Sequence, residues 1–200
     1  NEIEHIRKMA KITVDVVSEV ANYLTTRKVK KGILLKKNGN PVTIADVKRK
    51  IDLWLAERGA ENPESTIFAI GRDAGVPHSS GTPTDTLKLG QTIVFDIFPC
   101  EAGGGYFYDF TRTWCLGFSP DEVQKIYEDV LSTYKTIVKE LEINRRFSDY
   151  QKRTCQIFEE QGHPTIESDP NTETGFVHSL GHGLGLHVHE KPWSGATASS

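Results

Sequence analysis

Residues Ile93 to Thr113 read IVFDIFPCEAGGGYFYDFTRT, two runs of β-branched and aromatic residues around a turn-rich centre with three consecutive glycines. That pattern predicts an antiparallel hairpin. By the two-residue period of a strand, Thr92, Val94, Asp96 and Phe98 share one face of the first arm. Phe107, Asp109, Thr111 and Thr113 share a face of the second. A turn centred on Ala102 and Gly103 sets Asp96 directly opposite Asp109, with Cβ atoms roughly 4.5–5.5 Å apart. Carboxylates that close, flanked by Phe95, Ile97, Tyr108 and Phe110, repel and lose hydration unless one is protonated or a cation lies between them. Strand aspartates often sit at edges and simply face water, so the cation reading needs support from elsewhere in the chain.

That support comes from Phe176 to Glu190, FVHSLGHGLGLHVHE, which holds four of the seven histidines: His178, His182, His187 and His189. Gly181, Gly183 and Gly185 are interleaved with them, and glycine's tolerance of close approach and positive φ lets imidazoles converge. If the chain is extended from Leu184 onward, His187 and His189 share one strand face. Spacing does not decide which imidazoles face a metal. Two acids on a hairpin together with imidazoles form an oxygen-and-nitrogen donor set suited to Mn, Co, Zn or Fe. Apposed aspartates can bridge two ions ~3.5–4 Å apart and lower the pKa of a bridging water from ~15.7 toward ~7, the chemistry of a two-metal hydrolase.

Composition narrows the classes. With 200 residues, 37% of them hydrophobic, the chain can bury one substantial core. The net charge of −3 argues against a general nucleic-acid binder. Cys100, Cys115 and Cys155 are odd in number and outside CxxC pairs, which predicts neither a disulfide framework nor a zinc knuckle and fits a reducing, cytoplasmic setting. No apolar run approaches the ~18 residues of a membrane span, and no charged-then-apolar leader opens the chain. Both termini read as cut: Asn1 lies in a helical pattern and Ser200 in a polar loop.

Periodicity predicts a first amphipathic helix from Glu2 to about Thr25, with Met9, Val16, Val17, Val20 and Leu24 among its apolar positions. Arg27 to Lys37 carries six basic residues, read as a solvated loop. Thr43 caps a second helix, Ile44 to about Arg58, with Leu53 on a broad apolar face. Ser65 to Ile70 is a short strand, followed by a Gly-, Pro- and Ser-rich loop containing VPHSSG and His78. Ser119, Pro120 and Glu122 open a third helix reaching about Glu142, with Val123, Ile126, Tyr127, Val130, Leu131, Tyr134, Ile137, Val138 and Leu141 on one face. Ser148 with Gln151 opens a fourth, ended by Gly162. Two helices followed by strands, twice over, predict an α+β fold of duplicated halves rather than a doubly wound sheet.

Together, VPHSSG, FDIFPCEAGGGYFYDFTRTW and HSLGHGLGLHVHE resemble the pita-bread metallopeptidase family, which includes methionine aminopeptidase, Xaa-Pro aminopeptidase and prolidase. The resemblance runs from the first helix to the end of the chain and implies the pita-bread fold with pseudo-twofold halves. Residues 1–200 would then be a partial catalytic domain, without the amino-terminal domain of prolidases and without the last strands. It implies that Asp96, Asp109 and His182 are ligands of a dinuclear site holding two divalent ions (Mn, Co or Zn). His78 and His189 match substrate-contacting histidines that help stabilise the tetrahedral intermediate. His178 and DFTRT match the proline-specific branch. The implied activity is hydrolysis of Xaa-Pro peptide bonds by an aminopeptidase or dipeptidase, on a peptide with proline after its first residue. Relatives often dimerise, so a homodimer is one expectation.

The family completes its site with two downstream glutamates, one the proton shuttle, and the sequence ends after PWSGATASS before either. Glu190 matches the residue after the substrate histidine and is not counted as a ligand. Two other classes share the fold: a peptide- or protein-binding module without catalysis, and a metal-free creatinase-type C–N hydrolase. Both would be expected to depart at Asp96, Asp109 or His182.

Overall fold

The structure is a computed structural model that describes residues 1–194. The chain divides into two compact units, Asn1–Pro120 with Leu184–Val188, and Asp121–Gly183 with His189–Ser200. In the first unit helix α1 (Glu2–Thr25) is followed by strands β1 (Lys28–Lys30) and β2 (Ile33–Leu35) and helix α2 (Ile44–Ala56). Strands β3 (Ala60–Glu61), β4 (Ile67–Ile70), β5 (Thr92–Ile97), β6 (Cys100–Glu101) and β7 (Phe110–Cys115) complete it. The second unit holds α3 (Asp121–Glu140), α4 (Phe147–Glu160), β8 (His182–Gly183) and β9 (Glu190–Trp193). The second unit runs helix, helix, strands as the sequence order predicts, whereas in the first unit the short strands β1 and β2 come between the two helices. Among the described residues no helix is long and apolar enough to cross a membrane.

The core of the first unit follows from two periodicities meeting. Met9, Val16, Val20 and Leu24 of α1 and Ile44, Val47, Ile51 and Leu55 of α2 pack with Phe68 of β4 and Ile93, Phe95 and Ile97 of β5. Burial along β5 alternates, so Thr92, Val94 and Asp96 lie on the opposite face of the strand. Strand β5 is central in an antiparallel sheet of order β4-β5-β7. Phe95 touches Phe68 and Trp114 with ring centroids 5.4 and 5.5 Å apart.

The hairpin forms, in a register different from the one expected. Asp96 pairs with Thr111 and Ile97 with Phe110, and a bridge between Cys100 and Phe107 continues the same register. The turn is centred on Gly103 and Gly104, at φ 86° and 89°, and the Gly104 N–H donates to the Glu101 carbonyl at 3.1 Å. Positive φ explains the shift: a turn on Ala102 and Gly103 would force alanine into a conformation that costs about 1–2 kcal/mol, whereas two glycines adopt it freely. Moving the turn by one residue moves every partner by two, so Asp109 stays on the Asp96 face but lies diagonal to it.

Other departures have equally local causes. The basic run is a two-stranded hairpin rather than a loop, with β1 exposed and Leu34 of β2 buried in the core, because Lys31 and Gly32 take positive φ at its turn. Leu53 is exposed. Helix α4 begins at Phe147, after Arg146, without a side-chain cap, and buries Tyr150, Thr154, Ile157 and Phe158. Helix α3 buries only Thr133 and Ile137, and Ile126, Tyr127, Val130, Tyr134, Val138 and Leu141 are exposed. In the second unit Ile137 clusters with Tyr150 and Ile157 of α4, while Val123 and Leu131 of the stripe are half-buried.

At the start of α2, Thr43 and Asp46 cap each other reciprocally: Asp46 N–H donates to Thr43 Oγ1 and Thr43 N–H to Asp46 Oδ2. Lys36 Nζ lies 2.8 Å from the Asp46 carboxylate. Burial alone would raise that carboxyl, but Lys36 and the Thr43 bonds outweigh it and hold it below its ordinary 3.8. A depressed folded-state value makes this contribution fully present above the unfolded carboxylate range and lost as pH falls through it. Asp46→Asn is expected to lower unfolding free energy by about 1–2 kcal/mol at neutral pH. The deficit should shrink in denaturation curves taken below the carboxylate range.

Candidate metal centre

In the first unit the hairpin carries Asp96 and Asp109. Asp96 is half-buried on the β5 face turned away from the α1–α2 core, and the Thr111 hydroxyl on β7 donates to its Oδ1 at 2.6 Å. Asp109 immediately precedes β7 and is also half-buried. His78 is exposed at φ 59°, inside a turn closed by the Ser79 N–H donating to the Val76 carbonyl at 3.1 Å. A non-glycine residue at positive φ is uncommon and marks a position held by its surroundings. Gly81, three residues on, lies against β4, where a Cβ would meet the Phe68 carbonyl oxygen at 2.5 Å. Only glycine lets the VPHSSG loop lie that close to the strand neighbouring β5.

The second unit holds His178, His182 and His189. The expected extended strand from Leu184 does not form: β8 is two residues long, the chain bends through 184–189, and β9 begins at Glu190. Gly183 pairs with Glu190, and a Cβ on Gly183 would sit 2.1 Å from the Lys191 carbonyl oxygen. This contact draws the two short strands together and brings His182 to His189, with ring centroids 4.4 Å apart. Trp193 stacks on His189 at 6.1 Å and 14°. His182 Nδ1 lies 2.9 Å from the Gly183 carbonyl, and His178 Nδ1 lies 2.9 Å from the Ser179 carbonyl. A carbonyl oxygen only accepts, so Nδ1 carries the proton in both rings and a neutral ring has its lone pair on Nε2.

His187 is exposed and belongs to the 184–188 segment of the first unit, so it does not share a strand face with His189. That segment is tied to the hairpin: Phe107 N–H donates to the Gly185 carbonyl at 2.8 Å, and Val188 is buried with Cys100 and Phe107. Burial, with Glu61 nearby, pushes the Cys100 thiol up, which makes it a packing residue rather than a nucleophile. Within neither unit do the described residues gather three or more His, Cys, Asp or Glu side chains in an arrangement that could hold an ion.

The donor chemistry nevertheless fits a divalent ion. A carboxylate oriented by a hydroxyl and an imidazole whose Nδ1–H is satisfied by a backbone carbonyl are what metal ligands require of their supporting partners. Sequence reasoning missed Thr111 as a partner of Asp96 because the expected register put Asp109 there. It missed Trp193 because the bend before β9 hides its proximity to His189.

A hairpin with two aspartates in one unit and a glycine-rich histidine segment in the other are the features that the family comparison takes up. Residues 4–199 match metallopeptidase family M24, and the chain belongs to that family. It is 33% identical over 150 residues to the Xaa-Pro dipeptidase of Pyrococcus furiosus, covering 74% of this chain and 39% of that protein. The prolidase structure from Pyrococcus furiosus superposes with a TM-score of 0.78 at 26% identity, covering all of this chain and 52% of that one. The X-Pro aminopeptidase structure from Thermotoga maritima superposes with a TM-score of 0.78 at 24% identity, which shows the shared fold. The chain has the pita-bread fold and spans about two-fifths of the dipeptidase's length.

Gly183→Ala is expected to force β8 and β9 apart and cost roughly 1–3 kcal/mol, as overpacking does. Chemical denaturation measures the loss, and weakened contacts between the His182 and His189 rings in proton NMR report the separation.

Proposed function

We propose that the chain forms part of a metallopeptidase that uses two divalent ions, Mn, Co or Zn, to hydrolyse the bond between an amino-terminal residue and a following proline. The observation that carries this reading is the prepared state of the donors. Thr111 holds Asp96 Oδ1, Asp109 lies on the same hairpin face, and the His182 Nδ1–H is taken by Gly183, leaving Nε2 as the coordinating nitrogen. Identity of 33% to a protein described as an Xaa-Pro dipeptidase supports the choice of substrate.

In this reading Asp96, Asp109 and His182 hold the ions. When bound, the ions supply Lewis-acid polarisation of the scissile carbonyl and an acidified water. His189 and His78 orient the substrate and donate hydrogen bonds as charge develops on the carbonyl oxygen. The stack of Trp193 on His189 restricts that ring's rotation, so less ordering is left for the moment of reaction. His178 contributes to the subsite for proline.

The test is made on the full-length protein stripped with a chelator. Hydrolysis of Xaa-Pro dipeptides and longer Xaa-Pro peptides should vanish and return with manganese, cobalt or zinc added singly. Asp96→Ala should reduce metal affinity by more than the ~10–100-fold attached to outer supporting partners. Activity indifferent to chelator and metal would overturn the reading, and metal binding without hydrolysis would favour a binding module.

A further inference from the structure

A buried amide underlies the histidine segment. Gln151 of α4 is 3% exposed, and both ends of its side chain are engaged. Its Nε2 donates to the His178 carbonyl at 3.4 Å and lies 3.7 Å from Cys155 Sγ. Its Oε1 accepts the Leu180 N–H at 2.5 Å. Ser194, fully buried, completes the grip: its Oγ accepts the Gly181 N–H at 2.9 Å and its own N–H donates to the Gly181 carbonyl at 3.2 Å. The Ser194 hydroxyl also lies 3.4 Å from Gln151 Oε1, which links the two side chains.

The backbone between His178 and His182 is thus held at the His178 carbonyl, the Leu180 amide and both polar groups of Gly181. Leu180 adds an apolar contact against the cluster of Ile137, Tyr150 and Ile157. A segment of this kind has few ways of satisfying its own backbone, because its neighbours in sequence form only a two-residue strand. Without the amide, the His178 carbonyl and the Leu180 N–H lose the partner that ties both to α4. The chemistry selects glutamine. A carboxylate accepts from Leu180 but repels the His178 carbonyl, and an aliphatic side chain serves neither.

We infer that Gln151, with Ser194, is a positioning residue that sets the placement of the His178 and His182 imidazoles. The inference rests on the metal-site reading above for its functional consequence, while its structural content stands apart from it. Outer partners that fix the orientation of a ligating histidine typically carry ~10–100-fold in metal affinity. Helix α4 then serves the site through its inward polar group as well as through packing. Thr154, on the same helix and equally buried, donates to the Tyr150 carbonyl within the helix and, among the described residues, makes no hydrogen bond to the segment. It distinguishes a loss of helix packing from a loss of positioning.

The experiment uses the full-length protein with Gln151→Leu, Gln151→Glu and Thr154→Val. Two readouts are taken: proton–nitrogen spectra of the imidazole rings without metal, and manganese affinity by calorimetry. Both Gln151 variants should shift the His178 and His182 resonances and weaken manganese binding ~10–100-fold. Thr154→Val should lower stability while leaving both readouts unmoved. Gln151→Glu keeps one of the two bonds and serves as the folded comparison if Gln151→Leu does not fold. Unmoved resonances in a folded Gln151 variant overturn the inference, and so does unchanged manganese affinity when the wild-type protein binds the ion. A wild-type protein that binds no manganese, cobalt or zinc overturns the metal reading instead, and the imidazole resonances then decide the clamp alone.

Discussion

Strand β5 carries Ile93, Phe95 and Ile97 into the core formed with α1 and α2, and the same alternation turns Asp96 to the opposite face. Neither side could be changed alone. A strand slipped by one residue would bury the carboxylate among isoleucines and phenylalanines and expose three large apolar side chains, a loss of several kcal/mol on burial alone. The hydrophobic core thereby acts as the constraint that orients the carboxylate, and pairing with β4 and β7 on both sides keeps the strand from adjusting. Asp96 is held by packing it takes no part in.

The histidines depend on a different device. Their segment has almost no regular structure, so its order comes from close backbone contacts and from side chains reaching in. Gly183 admits the Lys191 carbonyl, and Gln151 and Ser194 bind the turn before His182. The Leu184–Val188 stretch between His182 and His189 is anchored to the base of the hairpin through Phe107 and Val188. Polar positions are built here on glycine and buried hydrogen bonds, where the carboxylates are built on apolar strand packing. The two devices tolerate different changes: a volume-conserving apolar swap suits the first, and almost no substitution suits the second.

Legibility in the sequence followed the strength of the local signal. Helix α1 matched its expected limits, because Asn1 with Glu4 caps it and its apolar residues recur on one stripe. Thr43 was legible as a cap for the same reason. The apolar stripe of α3 was legible as a stripe, yet its burial was not, since a period says which residues share a face and nothing about what lies against that face. The family and the fold were reached from three motifs in order, and the match to metallopeptidase family M24 and the superposition on the Pyrococcus furiosus prolidase structure agree with them.

By itself the sequence determined that Asp96 and Asp109 lie on one side of a glycine-turned hairpin, and that a cluster of histidines follows after two further helices. Strand alternation and helix periodicity are local rules, and they survive whatever the rest of the chain does. Only the tertiary structure decided that Asp96 faces Thr111, that His182 meets His189 and Trp193, and that Gln151 holds the segment between the first two histidines. Those outcomes depend on which of three glycines takes the turn and on contacts between residues distant in sequence. Such contacts are settled by steric fit and buried hydrogen bonding across the fold rather than by any pattern along the chain.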